Sequence, residues 1–229
     1  MKKKIIIFGN GEIAKLAHYY FRSDSVYEVV GFTVDKINCA SNSFNNLPLI
    51  PFETVEEKFP VKEHLIHVAI SYKKLNQLRE QKFNEAKEKG YLFANYISSK
   101  STVLTDKANL GNNLFILEGQ TIQKDVIISD NVMIWSNNHI GHNTFIGKHC
   151  YISSGVIISG HCKIGERCFL GVNSTITDFC KIGDDCFITM GSNIGHDIKN
   201  KSTAVNRSTE ILENGNRAAE VIKKKYFKF

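Results

Sequence analysis

The histidines are the side chains of this chain best suited to move a proton near neutral pH. His139, His142 and His149 fall in one short run, Trp135-Ser-Asn-Asn-His-Ile-Gly-His-Asn-Thr-Phe-Ile-Gly-Lys-His149, and His161 follows soon after. An imidazole in such a run can act as a general base toward an attacking nucleophile, or it can bind zinc. The cysteines argue against metal. Cys150, Cys162, Cys168, Cys180 and Cys186 share one phase of a six-residue period, and no CxxC pair occurs. They read as small buried packing residues, so no metal is expected. A second candidate is the turn Gly9-Asn10-Gly11, with Asp35 following a further strand. Glycines at that spacing let backbone N–H groups approach a diphosphate at a helix N-terminus.

The elements that must position the histidines follow from spacing. Leu104, Leu110, Ile116, Ile122, Ile128, Ile134, Ile140, Ile146, Ile152, Ile158, Ile164, Leu170, Ile176, Ile182, Ile188 and Ile194 recur every sixth residue without a slip. That period fits neither an amphipathic helix nor a simple strand. It fits a parallel β-helix over 99–198, about five coils of three flat faces, with one aliphatic side chain per face in a triangular interior. Glycine often follows the aliphatic, as at Gly111, Gly141, Gly147, Gly165, Gly171, Gly183 and Gly195, where it is expected to ease a tight corner. The fourth residue after the aliphatic is small or β-branched, as at Val126, Thr144, Val156 and Ser174 and at the five cysteines. It forms a second inward row. His142 lies two residues past Ile140 and so points out of the prism.

The glycine turn sits in a different kind of unit. Lys4–Phe8 reads as a buried strand, Ile13–Phe21 as a helix, Glu28–Thr33 and Leu65–Ile70 as strands and Lys73–Lys89 as a charged helix. Tyr91–Ile97 reads as a strand leading into the repeat. Alternating strands and helices predict a small parallel α/β domain over 1–98. It is too short for a full dinucleotide fold and better sized for a nucleotide or a nucleotide-sugar. Asn38–Pro51, rich in Asn and Ser, is expected to be a loop able to cover such a ligand. Residues 199–229 form a partly helical tail.

Composition narrows the classes further. Net charge is +6, which suits anionic small ligands. No basic stripe with interleaved aromatics argues for nucleic acid. No apolar run is long enough for a membrane span, and the short run after the N-terminal lysines is not read as a signal peptide. Free thiols suit a reducing cytoplasm.

Several stretches together resemble the sugar O/N-acyltransferases of the bacillosamine and sialic-acid pathways. They are Ile5-Ile-Ile-Phe-Gly-Asn-Gly-Glu-Ile-Ala14, Val68-Ala-Ile-Ser71 followed by Arg79, Ala94-Asn-Tyr-Ile97, His139 through Gly147, and Ile164 through Ser174. The resemblance implies an α/β nucleotide-binding-like domain joined to an all-β left-handed parallel β-helix. It also implies a homotrimer using acetyl-CoA on a nucleotide-linked amino sugar for surface polysaccharide or glycan synthesis. By position it makes His142 the general base, beside Asn143 where relatives often carry an acid. The N–H of Gly160, one coil on, becomes the donor to the thioester carbonyl. Tyr151 and Gly191 fall near the acyl-CoA, and Gly9, Asn10, Gly11, Asp35 and Ser71 face the nucleotide. Asp125 and Asp130 are candidate carboxylate partners for His142.

Other readings stay open on sequence. They are a sugar O-acetyltransferase of the same fold, a non-catalytic β-helix scaffold, and a γ-type carbonic anhydrase. The last needs a zinc-ligand spacing that His139, His142, His149 and His161 do not supply.

Overall fold

The computed structural model describes residues 3–207, 211–213 and 215–227. At the N-terminus, β1 (Lys3–Phe8), β2 (Tyr27–Val34), β4 (Leu47–Pro51) and β5 (His64–Val68) form a parallel sheet, with β3 (Ser43–Phe44) antiparallel on its edge. The strand order is β3-β4-β2-β1-β5. Helix α1 (Glu12–Ser23) follows β1, α2 (Val55–Lys58) is a single turn, and α3 (Gln77–Glu88) follows β5. Ile5, Ile6 and Ile7 are wholly buried, as expected of a central parallel strand covered on both faces.

Three expectations for this half change. Asn38–Pro51 is not all loop, because it contains the β3–β4 hairpin, which extends the sheet; Asn45 and Asn46 take the left-handed conformation at its tip. Helix α3 starts four residues late because Lys74, Leu75 and Asn76 also adopt positive φ. There Asn76 donates to the carbonyls of Arg167 and Cys168, a long-range demand that local propensity cannot register. Tyr91–Ile97 supplies only a bridge from Phe93 to Ile66 before Tyr96–Ile97 joins the next domain's sheet. The β-helix therefore begins at Tyr96, with no linker.

From there the chain coils. Each strand has two residues, and from Phe115 to Ile194 each pairs in parallel with the strand eighteen residues on; the first two strands pair nineteen on and the last pair is sixteen apart. The coils build three faces. One runs from Tyr96–Ile97 to Thr203–Ala204 and shows Phe115, Met133, Tyr151, Phe169 and Phe187 outward. The second runs from Thr102–Val103 to Asn193–Ile194, and the third from Ile127–Ile128 to Lys181–Ile182. Inside, the aliphatics from Ile116 to Ile194 and the row with Val126, Cys150, Val156, Cys162, Cys168, Cys180 and Cys186 form one core. Leu104 is the exception. It is 60% exposed, because the first turn is offset by one residue: Val103 pairs with Ile122 and packs on the core in its place. All six cysteines are free thiols, and Sγ of Cys150, Cys162, Cys168 and Cys186 donates to a carbonyl of the following coil.

The corners are made differently from the expectation. Positive φ falls three residues after each aliphatic, at every sixth residue from Asn113 through Asn143, His161 and Phe179 to Gly191. Asn, Asp and His are the side chains that tolerate this conformation best. The glycines right after the aliphatic serve close approach. A Cβ on Gly141 would lie 2.5 Å from the Gly160 nitrogen, and one on Gly171 would lie 2.5 Å from that of Met190. Gly195, with no further coil beside it, would meet nothing.

The first face carries the α/β domain. Phe115, Leu117, Met133 and Tyr151 share one core with Ile5, Ile7, Ala14, Ala17 and Phe21. Arg79, 1% exposed, pins the junction. Its guanidinium donates to the carbonyls of Ser71, His149 and Cys150 and to Asn76 Oδ1, at 2.7–3.1 Å. Burial lowers it to about 10, so it is still charged at neutral pH and is stabilised by dipoles where no carboxylate reaches it. Among the described residues no helix is long and apolar enough to cross a membrane.

Candidate active site

Two places on the chain carry the candidate chemistry. One is a cleft of about 620 Å³ in the α/β domain, within the usual range for small-ligand sites. Gly9, Asn10 and Gly11 line it where β1 turns into α1, with Asp35 and Ser71 opposite and Trp135 and Tyr151 of the β-helix also in its wall. The two glycines differ. Gly9 has φ +135°, and a Cβ there would lie 2.9 Å from the Ala69 carbonyl oxygen. A Cβ on Gly11 would meet nothing within 4 Å, so the open space over it belongs to the cleft and to the start of α1.

Asp35 is not free in this cleft. Lys82 Nζ lies 2.6 Å from Asp35 Oδ1 and 2.7 Å from Glu85 Oε2. Burial opposes the charge on Lys82, but the bonds to Asp35 and Glu85 outweigh it and hold the ammonium above the usual lysine value. The cleft thus offers a cation that the sequence reading missed.

The second place is the corner between the second and third faces, opposite the face that carries the α/β domain. His142 and Asn143 lie there, both exposed. The His142 ring is seated on Gly160: a Cβ on Gly160 would lie 2.9 Å from its Nε2 and 3.0 Å from its Cε1. Asn143 Nδ2 is 3.1 Å from His142 Nδ1. Amide O and N are assigned by hydrogen bonding, not seen directly. For Nε2 to accept a proton, the amide must present Oδ1, so that Nδ1–H donates to it.

The remaining expected residues lie elsewhere. Asp130 accepts from the Asn112 N–H and side chain, and Asp125 lies beside Lys124; neither pairs with His142. Tyr151 is not at this corner. Its ring packs parallel to Phe169 at 5.1 Å on the first face, and burial raises its phenol to about 12. Gly191 lies at another corner, where Asn206 Nδ2 donates to its carbonyl at 2.9 Å. His149 is buried beside Arg79. Burial, then Arg79 and Arg167, lower it to about 4. Among the described residues no group of three or more His, Cys, Asp or Glu side chains is placed to hold a metal ion.

At the corner Asp178 and Phe179 were not anticipated, and His161, a candidate histidine by sequence, was not placed there. Asp178, one coil past Gly160, accepts the Gly160 N–H at 3.0 Å through Oδ1. The donor that the resemblance assigns to the thioester carbonyl is thus already engaged. His161 meets His142 edge-on at 4.9 Å and stacks on Phe179 at 5.0 Å. Extending the eighteen-residue step from His142 and Asn143 twice would have found all three.

Comparisons with known proteins agree with this architecture. Residues 125–160 and 161–196 match the family model for the bacterial transferase hexapeptide (six repeats). No curated protein matches the chain. Among solved structures, the acetyltransferase domain of PglB from Neisseria gonorrhoeae FA1090 superposes with a TM-score of 0.77 at 22% identity, covering 91% of this chain and 100% of that one. PerB from Caulobacter crescentus, in complex with CoA and GDP-perosamine, gives 0.77 at 21% identity over 92% and 97%. WeeI from Acinetobacter baumannii AYE gives 0.60 at 16% over 91% and 99%. What the chain shares with these proteins is the whole two-domain fold, an α/β domain followed by a left-handed hexapeptide-repeat β-helix.

Proposed function

We propose that the protein is an acyl-CoA-dependent N-acyltransferase, with acetyl-CoA as donor, acting on a nucleotide-linked amino sugar such as a 4-amino-4,6-dideoxy sugar. One observation carries the reading: the same chain holds a nucleotide-sized cleft on a glycine turn and an exposed imidazole seated on a glycine. PerB, with the same two-domain order, is crystallised with CoA and GDP-perosamine. In this reading the α/β domain within 1–98 binds the sugar nucleotide, the β-helix, 99–198 by its repeat with paired strands reaching Tyr96 and Ala204, carries the transfer site, and the rest of 199–229 forms the tail. The product serves surface polysaccharide or glycan synthesis, and the free thiols fit work in a reducing cytoplasm.

The chemistry follows from the corner. His142 Nε2 takes a proton from the acceptor amine, with Asn143 Oδ1 holding Nδ1–H. The amine nitrogen attacks the thioester carbon, and the oxygen gains charge and takes the Gly160 N–H. Collapse breaks the C–S bond, and protonated His142 passes the proton it took to the departing thiolate, while the second amine proton stays in the amide. Amide and free CoA result.

The corner is convex and bare, whereas a small-molecule site needs walls. The cleft and His142 of one chain also lie on opposite sides of the prism. Both facts support a homotrimer in which the cleft of one copy delivers its sugar to His142 of the next.

The test is an acyl-transfer assay with acetyl-CoA and dTDP-, UDP- and GDP-linked amino sugars, with products read by mass. An amide product is expected. An ester product would favour the O-acetyltransferase reading, and no product with any acceptor would favour a scaffold.

A further inference from the structure

The bond between Asp178 and Gly160 places a carboxylate where an oxyanion must form, which opposes the reaction the corner otherwise suits. Asp178 Oδ1 accepts the Gly160 N–H at 3.0 Å. A Cβ on Gly160 would lie 2.9 Å from His142 Nε2 and 3.4 Å from Asp178 Oδ1, so imidazole and carboxylate flank one backbone position. Asp178 is exposed, and among the described residues it makes no ion pair. Comparable bonds occur at the next corner, where the N–H groups of Asn112 and Glu166 donate to Asp130 and Asp184 at 2.8 Å. Those are rungs between coils; the His149 ring near Asp130 is buried and bonds Asn131, not the rung N–H. Only at Gly160 does the rung occupy the N–H beneath the His142 ring.

Resting on the proposed transfer reaction, we infer that Asp178 is an acceptor-sensing gate: it covers the Gly160 N–H until the ammonium of an amino sugar draws its carboxylate away. With the gate closed, a bound thioester finds no oxyanion donor and a negative charge in its place, so water attack on the acyl group is suppressed. With an ammonium present, the carboxylate pairs with it and the N–H is released to the thioester oxygen. His142 then takes one ammonium proton, the amine attacks, and the C–S bond breaks. Of the two protons then on nitrogen, one goes to sulfur and one stays in the amide, so acetyl-CoA and ammonium give amide, CoA and one proton on His142. A hydroxyl acceptor carries no charge to open the gate, which makes Asp178 a specificity-determining residue for amines.

The test compares full-length wild type, Asp178→Ala and Asp178→Asn, each checked for thermal stability. It uses acetyl-CoA alone and acetyl-CoA with the amine acceptor that wild type accepts. Asp178→Ala removes both the cover and the charge. It should raise acceptor-independent CoA release about tenfold and the acceptor KM at least tenfold. Asp178→Asn keeps an oxygen on the Gly160 N–H without the charge, so CoA release should stay low while KM rises. A plain structural rung would give neither pattern. If wild type transfers and Asp178→Ala changes neither readout, the gate is wrong and the transfer reading stands. If wild type transfers to no amine, both fall.

Discussion

The cleft and the prism corner differ in completeness. The cleft is concave and walled by both domains of one chain. The corner presents an exposed imidazole on an outward edge, without walls among the described residues. The difference comes from how each side chain is held. In the cleft, long-range bonds such as Lys82 to Asp35 fix the shape. At the corner, His142, Gly160 and Asp178 are placed by the coil repeat alone and face outward. A repeat can position a catalytic group with high regularity, but it cannot enclose a substrate. Under the proposed function, that concavity would come from another copy.

The largest expected effect is at the corner. His142→Ala should lower kcat by roughly 10²–10⁴-fold with modest changes in either KM, measured under saturating donor and acceptor. His139→Ala should do far less, since it does not sit on the Gly160 corner. A fully active His142→Ala would move the chemistry elsewhere. Gly160→Ala comes next. The added methyl would displace the imidazole it touches, and a shift of that size costs about 10²-fold. The His142 carbonyl accepts from the His161 N–H at 2.8 Å, so the backbone should hold and the melting temperature should change little. A normal rate would mean that the ring's seat is irrelevant.

The cleft should answer in KM. Gly11→Val fills open space over the start of α1 and should raise the KM for the sugar nucleotide roughly tenfold, about 1.4 kcal/mol of lost binding, with little effect on acetyl-CoA. The opposite pattern would mean that the two ligands have been assigned to the wrong places.

The smallest effect at neutral pH separates the histidines buried between the domains from those at the corner. His67 is fully buried, with Nδ1 donating to the Ala94 carbonyl at 3.0 Å and Nε2 unpartnered among the described residues. Burial holds it down at about 4, and His149 sits at about 4 as well. Both values lie below the ordinary 6.5, so between pH 6.5 and 4 the unfolded chain binds protons that the folded chain lacks. Stability should be full above pH 6.5, fall as pH drops toward 4 and flatten below. Each buried histidine contributes on the order of 3 kcal/mol to that fall. Urea midpoints at pH 7, 5.5 and 4.5 would show it, and a flat profile would contradict the burial argument.

Much of the β-helix was legible because one period governs it. Ile116 through Ile194 face inward as the spacing requires, and the cysteines fill the second row. What the period hid was which residue does what at a corner. The glycines after each aliphatic looked like turn residues, yet the turn is made two positions later by residues as different as Asn143, His161 and Phe179. In the α/β domain, Gly9 and Gly11 were legible from the strand-turn-helix pattern. The Lys82 partner of Asp35 was not, because it lies forty-seven residues away on another element. The same holds for α3, whose start yields to Asn76 bonding with the β-helix. His142 and Gly160 could be paired by one coil of spacing. Tyr151 could not be placed that way, since its face of the prism is taken by the other domain.

The claim that one copy's cleft serves the next copy's His142 is tested most directly by mixing. Gly11→Val and His142→Ala chains are co-expressed with different tags, and the mixed oligomers are assayed well below the wild-type acceptor KM, where the Gly11→Val parent keeps about one tenth of wild-type turnover and the His142→Ala parent almost none. If the site spans two copies, some sites pair an intact cleft with an intact His142. Random mixing of equal amounts in a closed head-to-tail ring should restore about one quarter of wild-type activity per site. No recovery in confirmed mixed oligomers, or full activity in a wild-type monomer, would contradict it.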